Sequence, residues 1–114
     1  MGGTVAKQAA PYPVLARRLA EARQRAGLSQ RDLGLLAGLD PAVASPRINQ
    51  YERGKHEPRG ETLQRLAEAL GVPAAYLLTD DELLARLLLH WKDLTVRQKK
   101  QVLKDVEAAL GAKG

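Results

Sequence analysis

Glycines at positions 27, 38, 54, 71 and 111 divide this chain into short lengths. Between them, apolar residues recur every three to four positions. No stretch alternates apolar and polar side chains over the length of a strand. There is no Phe, and Leu, Ala, Arg, Glu and Gln, all good helix formers, dominate. Glycine ends a helix at positive φ without the clash a Cβ would bring. The pattern therefore predicts an all-α fold of short helices joined by tight turns.

Leu15, Leu19, Ala22 and Ala26 share one face of a first helix over 14–26. Ser29 is a good N-cap for a second helix over 30–37, with Asp32 near the positive end of its dipole and Leu33, Leu36 and Ala37 inward. A third helix ends at Gly54. A fourth runs through "ETLQRLAEAL" with Leu63, Leu66, Ala67 and Leu70 inward, and Pro73 opens a short fifth at N1. Thr79 with Glu82 has the spacing of a capping box for a helix over 80–91, and Thr95 with Gln98 repeats it for one over 96–110. Residues 1–11 are small and polar with no period, and the segment 1–13 is expected to be flexible.

Gly34 lies inside the second helix, where it costs about 1 kcal/mol against Ala. A close approach by another helix would account for it. Two short helices, a small residue in the first, a turn at Gly38 and a polar second helix make a helix-turn-helix pattern.

The segments "GLSQRDLGLLAGL", "INQYERGKHEP" and "ETLQRLAEALGVPAAYLL" resemble the lambda-repressor-like, XRE-type helix-turn-helix proteins, over residues 14–78. The resemblance implies five helices that bind double-stranded DNA, usually as a dimer, and regulate transcription. It places base contacts on the third helix, over 46–53, and phosphate contacts at Ser29 and Gln30 and at Arg53, Lys55 and His56. It also implies a structural ion pair between Arg23 and Glu52. The residue chemistry agrees. Ile48 and Tyr51 turn one face inward, leaving Arg47, Asn49, Gln50 and Arg53 outward. Arg reads guanine bidentately, and Asn or Gln reads adenine.

The chain departs from the family between Gly38 and Tyr51, where it is longer by about one helical turn of ~3.6 residues. Two readings are open. Asp40 could cap an extended third helix with Pro41 at N1 and a kink at Pro46. Alternatively "DPAVA" is a separate turn, Ser45 is the N-cap and Pro46 sits at N1, where its missing N–H costs nothing. The second accommodates both prolines and is favoured. It adds Ser45 to the base-contacting set.

Residues 79–114 lie beyond the resemblance. Leu84, Leu87, Leu88 and Trp91 on one helix, and Leu103, Val106 and Leu110 on the next, suggest a dimerisation hairpin. Capping of the monomer core is the alternative.

The net charge of +5 suits a polyanionic partner without requiring one. The absence of Cys excludes disulfides and thiolate metal sites. His56 and His90 lie far apart with no ligand cluster, so neither metal nor cofactor is expected. No catalytic constellation can be assembled, so the chain is not expected to be an enzyme. No apolar run approaches the ~18 residues of a membrane span, and the first residues lack a secretory apolar core. A cytoplasmic protein without a membrane partner is expected. The leading expectation is a dimeric repressor reading the major groove. An antitoxin-like module that neutralises a protein partner and autoregulates through DNA is the alternative.

Overall fold

The computed structural model describes residues 13–111, which form seven helices and no strand. They are α1 (Pro13–Arg25), α2 (Gln30–Leu36), α3 (Ala44–Glu52), α4 (Gly60–Leu70), α5 (Ala74–Leu78), α6 (Glu82–Trp91) and α7 (Val96–Ala109). The segment expected to be flexible lies outside the described residues except for Pro13, which opens α1.

Leu15 and Leu19 of α1, Leu33 of α2, Ile48 and Tyr51 of α3, Leu66 of α4 and Leu77 of α5 converge on one core. Each fully buried Leu or Ile contributes about 1.5–3 kcal/mol. Two side chains expected inward, Ala26 and Leu36, are exposed instead. Both fall at the C-terminal end of a short helical stretch, where the neighbouring turn carries the chain away from the core.

Local signals hold where they are self-contained. Ser29 accepts from the N–H of Asp32 at 2.9 Å, and the Asp32 carboxylate accepts from the N–H of Ser29 at 3.3 Å. Thr95 and Gln98 form the same reciprocal pair. Gly38 and Gly71 take φ of 85° and 71°. Pro73 is the N-cap of α5 rather than N1.

The expected Thr79–Glu82 box does not form. Asp81 caps α6 by accepting from the N–H groups of Leu83 and Leu84. Glu82 is free to turn toward α1, where Arg17 and Arg18 engage it.

Helix α2 packs against α3 through the position the sequence marks as odd. A Cβ on Gly34 would lie 2.7 Å from the Cβ of Ala44 and 2.9 Å from its carbonyl oxygen. Only glycine permits this approach, which sets the spacing of the two helices.

Helix α6 is apolar on two sides. Ala85 is buried, and Leu88 and Leu89 pack against the core. Leu83, Leu84 and Leu87 point outward. Helix α7 buries no side chain. It meets α6 through Lys99, whose ammonium lies 5.6 Å from the centre of the Trp91 ring. The Cα radius of gyration is 16.9 Å, against about 13 Å for a compact chain of this length.

Candidate nucleic-acid interface

Helix α3 is held by its inner face. Ala44, Ile48 and Tyr51 recur at i, i+4 and i+7 and are all buried. With 3.6 residues per turn, Pro46, Asn49, Gln50 and Arg53 are left on the outer side, and Arg47 stands beside Gln50 at its edge. Arg47 and Arg53 are exposed, and Gln50 is half-buried. Asn49 is also half-buried, and so is Ser45, which lies next to it on the flank that leads to Glu52.

The helix starts where neither sequence reading placed it. Its first residue is Ala44 and its N-cap is Val43, whose side chain caps nothing. Ser45 is therefore not the cap but the second helical residue. Asp40 instead closes the turn that precedes the helix. Its carboxylate accepts from the N–H of Ala42 at 2.8 Å, and its carbonyl accepts from the N–H of Val43 at 2.9 Å. The "DPAVA" segment is thus a separate turn that runs straight into α3. Pro46 falls at N3, one of the positions whose N–H has no intrahelical partner, so no hydrogen bond is lost there.

The far end of α3 is closed by Gly54 at φ 73°. The N–H of Lys55 donates to the carbonyl of Gln50 at 3.0 Å, and that of Gly54 to Tyr51 at 3.1 Å. This pairing satisfies the last carbonyls and sends the chain back beside the helix. It brings His56 next to Arg47 and Gln50, around a shallow hollow also lined by Tyr51 and Glu57. Lys55 and His56 are exposed.

The ion pair expected between Arg23 and Glu52 is present. Arg23 Nε and Nη2 both donate to the Glu52 carboxylate, the latter at 3.1 Å, and Nη1 donates to the carbonyl of Leu28 at 2.9 Å. The hydrogen bond that Arg23 donates to Glu52, outweighing the cost of burial and helped by the carboxylate charge, raises the Arg23 pKa above its ordinary value. Gln30 joins the pair, its Nε2 donating to Glu52 Oε1 at 3.1 Å. The first residue of α2 is thereby tied to the last residue of α3. Ser29 is exposed beside it, its hydroxyl oxygen accepting from Asp32.

The ion pairs among the described residues involve Arg17, Arg18, Arg23, Arg59 and Arg65. Arg47, Arg53 and Lys55 have no carboxylate partner among the described residues. Their charge is therefore available to an external anion. No cluster of three or more His, Cys, Asp or Glu among the described residues could hold a metal ion.

A family model described as helix-turn-helix (HTH_3) matches residues 19–77. The chain belongs to the helix-turn-helix family. It is a DNA-binding transcriptional regulator. It is similar to the HTH-type transcriptional regulator ImmR of Bacillus subtilis (strain 168), at 31% identity over 96 residues, spanning 84% of this chain and 72% of that protein. It is also similar to the crystal structure of transcriptional regulator BswR, at 45% identity and a TM-score of 0.77, covering 87% of this chain and 98% of that one.

Two residues of this regulator were not legible in its sequence. Arg31 donates to the carbonyl of Pro41 at 3.3 Å and ties the inserted turn to α2. Arg18, only 2% exposed, donates through Nε to the carbonyl of Thr79 at 2.9 Å and through Nη2 to Glu82 at 3.2 Å. Its guanidinium also lies 5.3 Å from the centre of the Tyr76 ring. Burial works against the charge on Arg18, but Glu82 and Tyr76 together outweigh it and leave the pKa raised.

Of the side chains expected at a dimer interface, Leu84, Leu87, Leu103, Val106 and Leu110 are exposed. Leu88 is different. It packs against the core, because it shares the inward side of α6 with Ala85 and Leu89. Trp91 is half-buried beneath Lys99. No helix among the described residues is long and apolar enough to cross a membrane.

Proposed function

We propose that the protein is a dimeric repressor of transcription that reads the major groove with the outer face of α3. The carrying observation is that face itself, a polar stripe whose arginines have no acidic partner, mounted on a fully buried inner side. Arg47 and Gln50 have the chemistry to read guanine and adenine, and Asn49 and Ser45 flank them. Arg53, Lys55 and His56 follow the helix and suit backbone phosphate, as do Ser29 and Gln30 across the Glu52 link. These contacts fix register, whereas the base contacts specify sequence. Residues 14–78 form the reading unit and 79–114 the pairing unit.

Dimerisation is supported by the exposed row Leu103, Val106 and Leu110 on α7 and by Leu84 and Leu87 on α6. A symmetric pair would present two α3 helices to major grooves roughly 34–36 Å apart. Occlusion of a promoter in the cytoplasm would require neither catalysis nor a cofactor.

Selection of bound duplexes from a random pool tests this reading. A two-fold symmetric consensus is expected, with a dimer by light scattering and affinity that falls steeply with salt. Gln50→Ala should cost about 1–3 kcal/mol and relax one base position, while Lys55→Ala should weaken all sequences alike. Equal losses on every duplex for Gln50→Ala would remove its role as a reader. A monomer with an asymmetric consensus would remove the dimer.

A further inference from the structure

We propose that Val43 extends the reading face by one turn and recognises the methyl group of a thymine. The proposal rests on the reading of Arg47 and Gln50 given above. Val43, Arg47 and Gln50 stand at i, i+4 and i+7, so they share one stripe that begins at the N-cap and runs along α3. The row is continuous in the backbone, since the N–H of Arg47 donates to the carbonyl of Val43 at 2.9 Å. Asp40 fixes the turn from within, and Arg31 fixes it from α2.

The chemistry at this tip differs from the rest of the stripe. Pro41, Ala42 and Val43 are all exposed, and none carries a side-chain donor or acceptor. Val43 is a β-branched side chain left 37% exposed at the leading end of the helix, the end that meets base edges in this motif. Its only complementary feature in the major groove is the thymine 5-methyl group. One helical turn advances 5.4 Å, and base pairs are stacked every ~3.4 Å. Val43 therefore reaches one to two base pairs beyond the position read by Arg47. The longer connection between Gly38 and α3 thus adds a base position to the site.

The test uses the full chain and the tightest duplex recovered from the random pool. Each thymine is replaced in turn by deoxyuridine, which lacks only the methyl group. At one thymine, one or two base pairs beyond the position relaxed by Arg47→Ala, wild-type affinity should fall about fourfold, the worth of one buried methyl-sized group. Val43→Ala should bind the thymine and deoxyuridine duplexes equally. The proposal fails if no deoxyuridine replacement matters, if Val43→Ala keeps the same sensitivity, or if Val43→Ala weakens every duplex alike. Recovery of no preferred duplex would instead overturn the reading of Arg47 and Gln50, and the Val43 assignment with it.

Discussion

Glu52 links the frame of the protein to its reading helix. It is the last residue of α3, it accepts two hydrogen bonds from Arg23 of α1, and it accepts a third from Gln30 of α2. Its side chain is 8% exposed and that of Arg23 is 15% exposed. A pair this sheltered adds little net stability while intact, yet either partner is costly when left alone. Glu52→Ala would strand the Arg23 guanidinium and free the Gln30 amide. We expect a loss of about 3 kcal/mol in unfolding free energy, with weaker binding to every duplex because α3 is no longer held. Thermal melting and a binding titration check this together. Lost binding at unchanged stability would assign Glu52 a direct role at the DNA instead.

At the scale of elements, the packing of α2 on α3 sets the angle at which the reading face is presented. Gly34→Ala separates two opposed effects. In an isolated helix the change gains about 1 kcal/mol. Here the new Cβ meets the backbone of Ala44 at 2.9 and 3.0 Å, atoms that can move only with the whole helix. Such overpacking costs about 1–3 kcal/mol. The expected outcome is a lower melting temperature and weaker DNA binding, whereas a rise in both would show that the helices part at little cost. Gly34 was legible because glycine in a helix interior has few other reasons to be there. The glycine turns and the Ser29 and Thr95 caps were legible because each is closed within four residues. The start of α3 was not. Asp40 and Ser45 are both good caps followed by proline, and only packing of Ala44 on Gly34 decides where the helix begins. The Thr79–Glu82 box failed for a related reason, since its Glu is taken by an arginine 64 positions away in sequence.

That distant contact governs how the whole molecule is assembled. Arg18 joins α1 to the start of α6, and so joins the reading end to the exposed helices behind it. Its burial could not be read from the sequence, because it depends on where α5 and α6 lie. The hydrogen bond from Arg18, against a smaller burial effect and aided by the charges of Arg18 and Arg17, lowers the Glu82 pKa below its ordinary value. The sign follows from linkage. A carboxyl whose pKa is depressed by folding contributes stability above its unfolded pKa, about 4.3. That contribution is lost as the pH falls through the folded value. Because Glu82 is itself largely exposed, solvent screens the pair and the effect is modest. Glu82→Gln keeps the size and one acceptor but removes the titration. The variant should therefore melt below wild type at pH 7, and the two curves should converge as the pH falls below about 4. A gap that stays constant across that range would show that the Glu82 charge does not hold α6. Convergence would identify the Arg18–Glu82 clasp as the acid-sensitive joint between the DNA-reading helices and those that follow them.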